Sequence, residues 1–139
     1  MKPILIVFSV VAFFVAAPSR CFALWEIAQV TTERAKELGM EVRSKATGPN
    51  HVIVELEFKI EGELKDFSRV DLRFGQGDNP PLTTSLREDR SKPGRVVVSF
   101  TADRDQLDKV TLWVMVPGSL GGTIYEVRPK DFVKPPKDR

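Results

Sequence analysis

Glu55 and Glu57 are the first residues in the chain whose type and spacing could do chemistry. Two apart on an extended strand, they project from the same side. Paired carboxylates of this kind serve glycosidases. They sit in HVIVELEFKI, residues 51–60, where Val52, Val54, Leu56, Phe58 and Ile60 form the opposite, apolar face. On a flat outer face no desolvated cleft would separate their pKa values. Arg43 and Lys45 are expected alongside, so a cross-strand charge ladder is the stronger reading. A glycan-active hydrolase working through Glu55 and Glu57 stands as the competing one.

The other candidate groups reduce in the same way. His51 is the single histidine. A Ser-His-Asp or Cys-His device would need it, yet no serine lies in a nucleophile-elbow context. A histidine-based metal site would have one nitrogen ligand. We read His51 as a solvent-facing residue at a strand end. Asp103, Asp105 and Asp108 resemble part of a calcium loop, but the position that needs glycine is Asp108. Asp103-Arg104-Asp105-Gln106 fits a capping box better, with Asp103 as cap and Gln106 three residues on. Gly75-Gln76-Gly77 starts like a nucleotide fingerprint, but Asp78-Asn79-Pro80-Pro81 cannot open the required helix. These readings assign no catalytic residue, no metal and no cofactor, and they predict a non-enzymatic protein.

Binding is the chemistry that remains. KVTLWVMV, residues 109–116, puts Val110, Leu112, Val114 and Val116 on one strand face and Thr111, Trp113 and Met115 on the other. A solvated antiparallel strand should be polar there. Either residues 24–38 cover Trp113 and Met115, which we expect, or a partner does. The turn-rich loop 75–81 is a second recognition candidate, with Asp78 and Asn79 at its tip. The candidate binding residues are therefore Trp113, Met115, Asp78 and Asn79. The partner would be a protein or a glycan.

The elements that must position these residues follow from local pattern. Thr31 or Thr32 caps a short helix through ERAKEL, which Gly39 closes. After Gly39 the period becomes two. Strands are predicted over 40–45, 51–60, 70–74, 83–90, 95–101, 109–116 and 123–128, with turns at Gly48-Pro49-Asn50 and Ser91-Lys92-Pro93-Gly94. About seven short strands at regular spacing predict an all-β fold, an antiparallel immunoglobulin-like β-sandwich with a short N-terminal helix. The antibody Cys…Trp…Cys signature and a tyrosine corner are both missing, so the likeness is one of architecture, which does not fix function.

The N-terminus reads as a leader. Lys2 precedes an apolar run from Ile4 to Ala17, short for a membrane span and right for a signal-peptide core. Cys21-Phe22-Ala23 suits cleavage after Ala23. The expected organisation is a signal peptide over 1–23, an N-terminal segment over 24–39, a β-sandwich over 40–132 and a flexible tail over 133–139. Removing Lys2 and Arg20 turns 21 basic against 19 acidic residues into 19 against 19. No field remains to favour nucleic acid. Cys21 leaves with the leader, so no disulfide can form. The expectation is a secreted or periplasmic bacterial protein with no stable membrane insertion after cleavage. It would act as a binding or accessory module, or as a structural subunit that assembles through strand edges.

Overall fold

The computed structural model describes residues 24–74 and 85–133. Residues 1–23, 75–84 (with Asp78 and Asn79) and 134–139 lie outside the described residues. In chain order the elements are β1 (Trp25–Gln29), α1 (Thr32–Leu38), β2 (Glu41–Ala46), β3 (His51–Lys59), β4 (Arg69–Phe74), β5 (Arg87–Asp89), β6 (Arg95–Asp103), β7 (Val110–Gly118) and β8 (Gly121–Val127). Short 3₁₀ helices lie at Gly62–Leu64, Arg104–Lys109 and Pro129–Asp131. Strands hold 54% of the described residues, which makes the fold all-β.

Two four-stranded sheets result, with orders β2-β3-β6-β5 and β1-β8-β7-β4. Strict alternation builds them. β3, β6 and β7 each bury every second side chain: Val52 to Phe58, Val96 to Ala102 and Val110 to Val116. Register sets these residues against one another, Val54 opposite Phe100 and Leu56 opposite Val98. In the second sheet Val114 faces Tyr125 and Leu72 faces Leu112. The inward faces share one core cluster, as expected for an all-β sandwich. Each fully buried Val, Leu or Phe there contributes about 1.5–3 kcal/mol. Phe58 and Phe67 add an edge-to-face pair, 4.9 Å between centroids at 80°.

α1 starts where Thr31 accepts a hydrogen bond from the Arg34 N–H at 3.1 Å. It stops at left-handed Gly39, whose N–H donates to the Ala35 and Lys36 carbonyls. Arg34 then holds the helix to the Gly62–Leu64 turn through Glu63, which also accepts from the Tyr125 hydroxyl at 3.0 Å. Burial and the Glu63 hydrogen bond together raise the Tyr125 pKa. The guanidinium of Arg34, and then the Tyr125 hydroxyl, hold the Glu63 carboxyl below its ordinary range.

Three local expectations are corrected. Residues 25–29, where no strand is predicted, form a strand that pairs in parallel with β8, giving eight strands among the described residues. The partner comes from the far end of the chain, so no turn announces it. The capping box does not form: the Asp103 side chain makes no cap bond and instead meets His51 Nδ1 at 2.7 Å. The His51–Asp103 register pair brings the two together, and the following turn is 3₁₀. Gln106 Oε1 is left buried with no hydrogen-bond partner among the described residues. Of the charged strand expected over 83–90, residues 83 and 84 lie outside the described residues, and the described part forms only β5, three exposed residues at a sheet edge.

Candidate functional site

The outer face of β1-β8-β7-β4 answers the question raised by Trp113 and Met115. Register arranges it in rows across the sheet. Gln29, Glu126, Trp113 and Asp71 form one row. Ile27, Ile124, Met115 and Arg69 form the next. Trp25, Gly122 and Pro117 form the third. Between them runs an open groove of about 530 Å³ with a mainly apolar floor.

The polar and sulfur-bearing side chains of β4 and β7 in the groove are held by neighbours on the same face. Trp113 Nε1–H donates to Glu126 Oε2 at 3.0 Å. The Arg73 guanidinium stacks over the indole, 4.2 Å from the ring centroid. Met115 Sδ accepts from Arg69 Nε at 3.4 Å. Arg69 also meets Asp71 at 3.4 Å. The Glu126 carboxylate is saturated further by Gln29 Nε2 at 3.0 Å and by Arg128 at 3.4 Å. The groove thus holds its anions in pairs, while Arg73 offers an exposed cation stacked on the Trp113 ring.

Residues 24–38 do not form the expected cover. They run beside this face as an edge strand, and the helix that follows packs near Gly62–Leu64. Only Trp25 reaches the groove, where its ring lies on Gly122. Trp113 and Met115 stay half-buried and open to the groove. The structure therefore brings together two of the four candidate binding residues; Asp78 and Asn79 lie outside the described residues. It adds Trp25, Arg69, Asp71, Arg73, Pro117 and Ile124. The period-two pattern of RVDLRF already carried the signal for the β4 residues. Trp25 had none, because its parallel partner is remote in sequence.

The carboxylate pair is spent on structure. Arg43 contacts Glu55 at 2.5 Å and Glu57 at 2.6 Å, and Arg95 meets Glu57 from the other side at 2.9 Å. These two guanidinium groups hold the Glu57 carboxyl below the usual carboxylate range. The same carboxylates raise the Arg43 pKa above its ordinary value. A carboxylate fixed in the ionised form between two cations is poorly suited to donate a proton. Lys45 stands opposite Ile53 rather than a glutamate. No group of three or more His, Cys, Asp or Glu is placed to hold a metal among the described residues. No protein-family model matches this chain, and no curated protein matches it significantly, so the groove is interpreted from its own geometry.

Proposed function

We propose that the chain is an exported, non-enzymatic binding module of immunoglobulin-like type, cut after Ala23, whose partner docks in the groove on β1-β8-β7-β4. Strand order supports the fold type. Taking β2 to β8 as strands A to G gives an ABED sheet and a CFG sheet, with β1 added beside G. The observation that carries the binding reading is the half-open strip of Trp25, Trp113, Met115 and Pro117, rimmed by the exposed cation Arg73. Trp and Arg are the residues that most often dominate interface energetics. An apolar floor of Met, Ile and Pro accepts the side chains of a protein partner.

The test is capture of proteins from the exported fraction of the source cell on immobilised chain, against Trp113→Ala and Arg73→Glu. Both variants must keep a cooperative melt. The reading expects a bound protein that both variants lose. A bound set that is identical for all three baits refutes it.

A further inference from the structure

We infer that the chain forms a twofold dimer by antiparallel pairing of β1 with the β1 of a second copy. The inference does not rest on the groove's ligand; it rests on the four sheet edges. Three of them are guarded by charge. β2 carries Glu41, Arg43 and Lys45; β5 is Arg87, Glu88 and Asp89; β4 carries Arg69, Asp71 and Arg73. Charged edges resist pairing with another strand. β1 is different: WEIAQ has one charge, Glu26. Ile27 is 51% exposed on it, and Leu24 beside it is 58% exposed. Among the described residues no strand lies beyond β1.

Hydrogen-bond polarity fixes the register. The Val30 N–H donates to the Glu126 carbonyl at 2.9 Å, so the even residues of β1 face β8. Trp25, Ile27 and Gln29 therefore turn both backbone groups to the free edge. A twofold axis at Ile27 sets Ile27 against Ile27 of the partner subunit, and Trp25 against Gln29 of the partner subunit. All three odd positions become hydrogen-bonded pairs, giving about six new backbone bonds. Glu26 falls opposite Ala28 of the partner subunit, not opposite its own copy. The two Glu26 groups sit on a diagonal, roughly 7–8 Å apart, rather than face to face.

The side chains agree with this register. Ile27, Ile124 and Met115 form one outward row in each copy. Joined at Ile27, the two rows become one apolar line across an eight-stranded sheet. The ends of that sheet are the charged β4 strands, so assembly closes at two copies.

Sedimentation of the purified protein over a concentration series tests the proposal, with Ile27→Lys as the disrupting variant. The chain has one cysteine, Cys21. On a Cys21→Ser background, Ile27→Cys and Glu26→Cys then report the register by oxidation. Hydrogen-bonded antiparallel partners lie about 5.5 Å apart at Cα, within disulfide range. The expected result is a reversible dimer whose dissociation constant rises at least about tenfold in Ile27→Lys with the melt preserved. Ile27→Cys should also form the covalent dimer at least about tenfold faster than Glu26→Cys, whose symmetry mates lie on the longer diagonal. A monomer at every concentration overturns the proposal, as does a dimer indifferent to Ile27→Lys or equal cross-linking at both sites. Trp113→Ala leaves this dimer intact, so loss of the groove's partner and loss of the dimer are read separately.

Discussion

Gly122→Ala isolates the contact that shapes the groove. A Cβ at Gly122 would lie 2.6 Å from the Val116 carbonyl oxygen, 2.7 Å from Trp25 Cζ3 and 2.9 Å from Pro117 Cα. Two of these three atoms belong to the β7 main chain, which is paired to β8 at this point. They cannot swing aside as a side chain would. β7 and β8 must part by a few tenths of an ångström, and the Trp25 ring must shift as well. Overpacking of this kind costs about 1–3 kcal/mol. Replacing glycine also removes freedom from the unfolded chain, which returns about 0.4–1 kcal/mol. The net loss therefore lies between about 0 and 2.6 kcal/mol with a centre near 1.3 kcal/mol, a fall in Tm of roughly 5 °C at that centre for a domain of this size. Gly48→Ala is the matched control: the nearest atom to its Cβ would be His51 Cδ2 at 3.7 Å, an ordinary contact. Calorimetry of the two variants beside the parent decides the matter, with acrylamide quenching to follow Trp25. If Gly122→Ala melts with Gly48→Ala and quenches like the parent, the close approach of Trp25 to Gly122 is not what holds the groove.

Two further predictions concern stability. Glu57 and Glu63 are ionised more readily in the folded chain than their ordinary pKa allows. Their contribution is thus complete above the unfolded value and is lost as pH falls through the lower folded values. Urea unfolding should show stability dropping as pH falls through the ordinary glutamate range and below it, and Arg43→Ala should flatten that slope while lowering stability at neutral pH; an unchanged slope refutes the assignment. Leu64 is fully buried although it sits in a short turn between strands. Leu64→Ala should cost about 2–5 kcal/mol in denaturant unfolding, and a loss below about 1 kcal/mol would mean that the turn is not anchored by the core.

How much of this was legible in the sequence depends on the range of the interactions. β3, β6 and β7 announce themselves because alternation is local and their inward faces are apolar without a break. The helix does so through Thr31 and Gly39, each acting within one turn. Arg43 over Glu55 was legible too, since a short hairpin sets those residues opposite. β1 was not, because its partner lies at the other end of the chain and the pairing is parallel, with no hairpin to mark it. Asp103 misled because one carboxylate had two possible uses. A neighbouring strand's histidine competed with the local cap, and only the sheet register shows that His51 is within reach. The groove was half legible: Trp113 and Met115 stood out as apolar residues on an outward face. Arg73 stacking on Trp113 depends on β4 being the neighbour of β7, which no local pattern contains.

The parallel seam between β1 and β8 also orders events in time. Gln29 and Glu126 meet across 97 residues of chain. Closing so long a loop costs entropy that must be met by contacts already formed. During synthesis β1 emerges before the other described strands, yet it has nothing to pair with until β8 arrives. The other seven strands can assemble their two sheets meanwhile, joined largely by nearer partners. β1 is accordingly the last strand seated and the first to leave in partial unfolding. Amide exchange in the native state should find residues 25–29 opening well before β3 and β6, in a step that spares the shared core.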